Sequence, residues 1–123
     1  MSNKPETITI DDVKYVRADS VNQKATDYKG MPYRIVRTQS AGVFAGYVAE
    51  RDGQEVVLVN ARRLWYWEGA ASLSQMAQMG VSKPKSCKFA MPVDRVVLLQ
   101  AIEILDVTKT AQENLETVPI WKS

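Results

Sequence analysis

Residues 52–67 read DGQEVVLVNARRLWYW, and this stretch decides the fold of the chain. Asp52-Gly53 is typical of a two-residue β-hairpin turn, and a run of four apolar residues begins three positions after the glycine. The pattern predicts a strand over residues 55–59 that continues, in its longest form, to Trp67. The strand before the turn is Val43–Arg51, in which Gly46 marks a bulge or a close approach between backbones.

Further strand patterns lie on both sides of this hairpin. Upstream, Tyr33–Arg37 has a strong strand signal, and the residues Gln39–Gly42 turn the chain into the next strand. Downstream, Arg95–Leu99 and Ala101–Val107 have strand character. A helix is the competing interpretation of the second segment, since apolar residues also recur there at helical spacing: Leu98, Ile102 and Leu105.

Two short helices are predicted in the second half of the chain. The first spans Ser72–Met79 and ends at Gly80, a residue suited to the C-terminal cap position. The second spans Lys109–Glu116, with Thr108 as its N-cap. Together these elements indicate an α+β fold, which is a twisted antiparallel β-sheet of about five strands with two short helices.

The N-terminus predicts a separate β-hairpin arm. Ile8–Ile10 and Val13–Arg17 flank the acidic turn Asp11-Asp12, and the polar segment Ala18–Gly30 resembles a linker. A lone hairpin is marginally stable in water, so this one has to dock on the domain or on a partner. The chain is therefore divided into an arm with its linker, residues 1–30, and a main domain, residues 31–123.

Composition argues against several classes of function. Histidine is absent and Cys87 is the only cysteine, which removes the usual catalytic triads and nearly excludes a structural zinc site. We therefore expect that the protein is not an enzyme and binds no metal or cofactor. We expect Cys87 to be a buried structural residue. The net charge of +2 is too small to favour nucleic acid as the partner. No apolar run is long enough for a transmembrane helix.

The aromatic and arginine-rich block Asn60–Trp67 is the strongest candidate for a binding surface. In an extended strand Arg63, Trp65 and Trp67 share one face, and Arg62, Leu64 and Tyr66 share the other. Tryptophan, tyrosine and arginine are the residues that most often anchor interfaces. The alternative is that both tryptophans are core residues, with the arginine side chains reaching past them to solvent.

The turn Gln39–Gly42 is a second candidate, because backbone amides of a small-residue loop beside Arg37 can bind an anion. The alternative is an ordinary hairpin loop in which glycine supplies a positive φ. In the sharper hypothesis Arg37, Ser40 and either Arg62 or Arg63 converge on a phosphate or nucleotide. The predicted contact residues are Arg37, Ser40, Gly42, Arg62, Arg63 and Trp65. A basic stretch, Lys83, Lys85, Lys88 and Arg95, is interpreted as a solvated loop.

Two sequence blocks resemble an uncharacterised family of small tailed-bacteriophage and prophage proteins. They are the segment RTQSAGV, residues 37–43, and the segment NARRLWYW, residues 60–67, and the ending Val118–Trp121 is also similar. Gln39 departs from the pattern, since an aromatic residue is more usual there. The resemblance implies a phage origin and a non-enzymatic role in an infected bacterium or in the virion.

These observations lead to the expectation of a small phage accessory protein that acts by binding. Its partner would be a host or phage protein, or a small anionic ligand such as a nucleotide, in the cytoplasm of the host bacterium. One alternative is a structural component of the capsid or tail that grips its neighbours through the arm. Another is weak binding to nucleic acid. A homo-oligomer is left open, and no membrane association is expected.

Overall fold

The computed structural model describes residues 23–122, which form an antiparallel sheet with two helices. The α+β class predicted for the chain is confirmed; the N-terminal hairpin predicted over residues 8–17 lies outside the described residues. The elements in chain order are β1 (Tyr33–Thr38), β2 (Val43–Asp52), β3 (Glu55–Tyr66), α1 (Leu73–Met79), a 3₁₀ turn (Pro84–Ser86), β4 (Lys88–Phe89), β5 (Val93–Leu98), β6 (Ala101–Asp106) and α2 (Lys109–Glu116).

Strand β3 organises the sheet. It pairs with β2 on one side, while β5 and β4 share its other side, β5 along residues 56–61 and β4 along residues 64–66. Strand β1 lies between β2 and β6. The helical alternative for residues 98–105 is therefore wrong, because residues 101–106 pair with β1 as a strand. The basic segment ending at Lys88 is also not a plain loop, since it contains the 3₁₀ turn and leads into β4.

The sheet is curled, and a short connection forces the curl. Strands β5 and β6 lie four strand spacings apart along the path β6-β1-β2-β3-β5, which would be about 19 Å in a flat sheet. Leu99 and Gln100 alone join them, and a link of this length reaches about 11 Å. The amide of Ala101 donates to the Gln54 carbonyl across the curl, and that of Gln39 donates to the Gln100 carbonyl next to the β1–β6 pairing.

The curl separates two apolar clusters. The inner cluster is enclosed by the curled sheet and consists of Val36, Phe44, Val56, Leu58, Ala61, Leu98 and Ala101. The helix-side cluster lies on the outer face, where the helices cover it, and its largest buried members are Phe89, Ile35, Met76 and Leu115. Neighbouring residues of a strand are thus buried on opposite faces of the sheet, as Ile35 and Val36 of β1 show.

A bulge sets the register of β2 against β3. Ala45 pairs with Arg62 and Tyr47 pairs with Val59, so Asn60 and Ala61 together lie opposite Gly46. Asn60 adopts φ +50°, the left-handed conformation found in bulges of this type. A Cβ on Gly46 would lie 2.9 Å from both the Cα and the Cβ of Ala61. Gly46 is therefore a close-contact position, as the sequence predicts.

Each helix begins after an N-cap residue: Thr108 is the predicted one, whereas Ser72, predicted as the first residue of the helix, is its cap. The Ser72 hydroxyl accepts from the Gln75 amide at 3.1 Å, and the Thr108 hydroxyl accepts from the Ala111 amide at 3.1 Å. Thr108 also donates to the Gln78 carbonyl at 2.6 Å, which ties the start of α2 to the end of α1. In the described part of the chain, no helix has the length and apolar character needed to cross a membrane.

Part of the predicted linker contacts the domain. The Ala25 amide donates to the Val107 carbonyl at 3.0 Å, and the Thr26 amide donates to the Gln112 side chain at 2.8 Å. Gln112 returns a hydrogen bond to the Thr26 carbonyl at 3.0 Å. Residues 23–26 are thus attached to α2, while the division of the chain at residue 30 stays a prediction.

Candidate functional site

Strand β3 places the neighbouring residues Arg62 and Arg63 on opposite faces of the sheet. Successive side chains of a strand point to opposite sides, so adjacent arginines are divided in this way. The Arg62 guanidinium lies 5.3 Å from the ring centre of Phe89 on the helix side. The Arg63 guanidinium lies 4.7 Å from the ring centre of Phe44, a member of the inner cluster. The two arginines therefore have separate surroundings.

Backbone carbonyls hold the Arg62 side chain. Its Nε donates to Ala90 at 3.0 Å, and one terminal nitrogen donates to Val118 at 3.0 Å. The other terminal nitrogen donates to Phe89 at 3.3 Å and to Pro119 at 3.2 Å. Partial burial lowers the pKa of Arg62. Arg62 joins the segment around β4 to the C-terminal segment, and most of its donors are already used.

Arg63 has almost the opposite environment. Its guanidinium lies between two rings, 4.7 Å from that of Phe44 and 5.3 Å from that of Trp65. Its Nε is buried without a hydrogen-bond partner. Among residues 23–122 no carboxylate lies within ion-pair distance of it, because the ion pairs there are Arg34–Asp106 and Arg37–Glu103. A buried donor without a partner within the protein is uncommon in folded proteins.

The Arg63 groove is the cavity that this side chain lines. Its volume is about 580 Å³, and it lies between the β1–β2 loop and the β5–β6 connection. The loop contributes Thr38, Ser40 and Ala41, and the other wall is formed by Val96, Val97, Leu98, Leu99 and Gln100. Leu99 is 64% exposed and Val97 is 42% exposed. The groove thus combines one cation, several polar groups and an apolar wall, with no acidic side chain among the described residues that line it.

Residues 31–115 match the family described as Domain of unknown function (DUF6948). The chain belongs to the DUF6948 family. Neither any curated protein nor any solved structure matches the chain significantly. All residues that line the Arg63 groove lie within the matched part of this DUF6948 protein. The two sequence blocks quoted above also lie within it, and they meet at the groove through Ser40 and Arg63.

The β1–β2 loop of the DUF6948 domain is braced by Thr38. The Thr38 hydroxyl donates to the Gly42 carbonyl at 2.7 Å and accepts from the Ala41 amide at 2.9 Å. The amides of Thr38 and Gln39 donate to Gly42 and to Gln100, respectively, each at 3.0 Å. Three amides of the loop are therefore used within the protein, which leaves fewer for an anion than the sequence predicts.

The structure brings together only some of the predicted contact residues. Ser40 and Arg63 line the same groove, whereas Arg37 forms an ion pair with Glu103, 2.9 Å from its Nε. Arg62 is directed to the other face of β3 by the strand alternation. Gly42 adopts φ +98°, as the hairpin-loop alternative requires, and it does not line the groove. The local sequence could not show these differences, because Glu103 and the β4 carbonyls are distant along the chain.

The two tryptophans of the block differ in their environment. Trp65 is 58% exposed and stacks against the Arg63 guanidinium, so the interpretation of Trp65 as a core residue is wrong. Trp67 lies beyond the end of β3 and packs against the helix-side cluster, which agrees with the core interpretation. Trp67 therefore does not share the Arg63 face, because regular alternation ends with the strand at Tyr66.

Several residues of the groove were not predicted from the sequence. Phe44 supports Arg63 from below, and Leu99 and Gln100 form the far wall with the end of β5. The only sequence signal for this wall is the pair of adjacent leucines, Leu98 and Leu99, at the end of a strand. Leu98 is buried in the inner cluster, so its neighbour has to face outward.

The basic stretch and the cysteine lie elsewhere. The Lys88 ammonium lies 5.9 Å from the Tyr66 ring and 5.6 Å from the Trp121 ring, on the exposed side of β4. Phe89 beside it is buried. Cys87 is buried, and its thiol donates to the Lys83 carbonyl at 3.4 Å. This environment agrees with the structural role predicted for Cys87.

Proposed function

We propose that this DUF6948 protein is a phage-encoded accessory protein that binds an anionic ligand in the Arg63 groove without catalysing a reaction. The observation that carries the proposal is that Arg63 lines the groove and has no carboxylate partner among residues 23–122. A carboxylate or phosphate group supplies such a partner, and charge-assisted hydrogen bonds are the stronger kind.

The walls of the groove define the rest of the ligand. Val97 and Leu99 present exposed apolar surface, and Trp65 presents an exposed ring beside the cation. Ser40 and Gln100 add hydrogen-bonding groups at the rim. An anion attached to a planar or apolar body fits this combination, since the body contacts the wall while the charge reaches Arg63. Nucleotides and aromatic carboxylates both have this form.

A thermal-shift and calorimetry panel tests the proposal. We would titrate the purified protein with inorganic phosphate, nucleoside mono- and triphosphates, and 3-phenylpropionate. At least one ligand with an apolar body should raise the melting temperature by several degrees at saturation, whereas phosphate alone should bind more weakly. Arg63→Met should reduce the affinity at least tenfold, because the charge is lost while an apolar side chain of similar length remains.

Arg37→Met is the matched control. It also replaces an arginine by methionine near the β1–β2 loop, but it removes a cation that already has Glu103 as its partner. Affinity for the best ligand should stay within about twofold of the unmodified protein. The proposal is overturned if no ligand in the panel stabilises the protein, or if Arg63→Met and Arg37→Met have equal effects.

The phage origin and the work in the host cytoplasm rest on the similarity of the two sequence blocks to phage proteins. Affinity purification from phage-infected bacteria, with Arg63→Met as the matched bait, tests the cellular side of the proposal. A small molecule or protein retained by the unmodified bait and lost with the variant supports it. Stoichiometric copies of the protein in purified virions would instead support the structural role.

A further inference from the structure

We infer that a second site, on the opposite face of β3 from the Arg63 groove, binds a small organic cation, namely an ammonium group on an aliphatic chain. The site is the tyrosine pocket, a cavity of about 430 Å³ between the sheet and the segment that follows α2. Its polar lining consists of Tyr33, Tyr47, Asn60, Arg62 and Glu116. The inference does not depend on the function proposed for the groove.

Glu116 supplies the unsatisfied charge of the tyrosine pocket. Among the described residues its carboxylate forms no ion pair. Arg62 also lines the pocket, but four backbone carbonyls already accept hydrogen bonds from its guanidinium. The carboxylate at the end of α2 thus lines a cavity in which the other charged side chain, among the described residues, is this hydrogen-bonded Arg62.

The negative charge of Glu116 affects the pKa of two tyrosine hydroxyls in the pocket. Burial is the largest cause that raises the pKa of Tyr33, and the negative charge of Glu116 is the next. The opposing effect of Arg62 on the pKa of Tyr33 is the smallest contribution. Burial and then Glu116 also raise the pKa of Tyr47. At both hydroxyls Glu116 is the charged group with the largest effect on the pKa, and a positive ligand that donates hydrogen bonds would pair with its carboxylate.

Aromatic rings and hydrogen-bond acceptors support the same ligand class. The Tyr33 and Tyr47 rings meet edge to face at 5.1 Å, and Tyr28 extends the group at 5.4 Å from Tyr47. Ammonium groups are attracted to aromatic rings as well as to carboxylates. The Tyr47 oxygen accepts from the Gln112 side chain at 3.2 Å, which leaves its proton to be donated to Glu116.

The bulge brings one more polar group to the pocket. Asn60 has the left-handed backbone conformation at the bulge, and its side chain is exposed where it lines the cavity. Bulges commonly redirect a side chain out of the regular alternation of a strand. The remaining walls are apolar, with Pro92, Val118 and Ile120, and they suit the aliphatic part of the ligand.

An NMR titration of the full chain tests the inference. Amide spectra would be recorded with n-butylammonium and 1,5-diaminopentane, and with n-butanol and butyrate as the neutral and anionic counterparts. We expect saturable shifts at Tyr33, Tyr47, Asn60 and Glu116 with the two amines. Butanol and butyrate should bind at least tenfold more weakly, because neither offers a positive charge to Glu116.

Glu116→Gln and Glu113→Gln form the matched pair of variants. Both change an exposed glutamate of α2 to its neutral amide, but only Glu116 lines the pocket. Glu116→Gln should lower the affinity for the amines at least tenfold, and Glu113→Gln should leave it within twofold. Equal binding of butanol and butylammonium, equal effects of the two variants, or no saturable shift with either amine would overturn the inference.

Discussion

Arg62 and Arg63 are neighbours in the chain, yet they have opposite relations to the protein. Arg62 donates to four backbone carbonyls, while the buried Nε of Arg63 donates to none. The two side chains have the same chemistry and lie on the same strand. Whether the N–H groups of an arginine are hydrogen-bonded therefore depends on the acceptors that the fold places on its face of the sheet. Arg62 is a structural residue for that reason, and Arg63 is a candidate for ligand binding.

Replacing Arg62 should produce the largest effect on stability. Arg62→Met removes four hydrogen bonds and leaves partly buried carbonyls without a donor. We therefore expect the free energy of unfolding to fall by about 3 kcal/mol. Arg62→Lys should recover little of this loss, because an ammonium cannot reproduce the fork of the guanidinium. Urea unfolding followed by circular dichroism measures both variants. If Arg62→Met lowers the free energy of unfolding by less than about 1 kcal/mol, the four hydrogen bonds of Arg62 are not needed for stability.

Disturbing the bulge should weaken the arrangement that assigns the two arginines to their faces. Gly46→Ala places a Cβ 2.9 Å from atoms of Ala61, part of which is backbone and cannot move freely. We expect a loss of about 2 kcal/mol, as for other overpacked sites. Gly53→Ala is a useful comparison, since a Cβ there has open space and only its positive φ opposes the change. A smaller loss for Gly46→Ala than for Gly53→Ala would contradict the proposed close contact.

Alkaline pH should destabilise the Arg62 side of the sheet. The pKa of Tyr33 is raised above its ordinary value of 10.0, chiefly by burial, so the folded state keeps a proton that the unfolded state loses. Stability is therefore fully present below pH 10 and falls as the pH rises above it. In that range each tyrosine of this kind lowers the free energy of unfolding by about 1.4 kcal/mol per pH unit. Urea unfolding from pH 9 to pH 11 should show a shallower decline for Tyr33→Phe than for the unmodified protein.

Replacing Arg63 should have the smallest effect on stability. Arg63→Met removes contacts with two aromatic rings, but it also removes a buried donor that has no partner. The two effects oppose each other, so we expect a change of less than about 1 kcal/mol in either direction. Unfolding of Arg63→Met beside Arg62→Met compares the same substitution at adjacent positions. If both variants lose the same free energy of unfolding, the distinction between the hydrogen-bonded Arg62 and the unpaired Arg63 is wrong.

Local sequence signals predicted most of the elements. The turn between β2 and β3 is formed by Gly53 and Gln54, one residue beyond the predicted Asp52-Gly53, because Asp52 still pairs with Glu55. Thr108 caps the helix that spans Lys109–Glu116, as expected. Gly80 follows the last residue of α1. These features depend on a few neighbouring residues, which is why the sequence shows them. Strand β4 was missed because two residues carry no periodic pattern, and its pairing partner lies on β3.

Some residues of the candidate site could be predicted from the sequence, but their arrangement could not. Ser40, Arg63 and Trp65 were expected at a binding surface, and Ser40 and Arg63 line the groove with Trp65 beside the cation. Arg37 was expected to join them, but its partner Glu103 lies 66 residues away in the chain. The far wall of the groove depends on the curl that the Leu99–Gln100 link imposes. No local pattern encodes a curl that arises from the pairing of distant strands.

The sequence by itself determined the α+β class, the Thr108 helix cap, the approximate place of the turns, and the fact that Arg62 and Arg63 face opposite ways. Strand alternation is a property of the backbone, and it needs no tertiary contact. The tertiary structure alone decided which arginine is satisfied, because the carbonyls that hold Arg62 lie between 27 and 57 residues away along the chain. The same folding event left Arg63 over an open groove with its buried Nε unpaired.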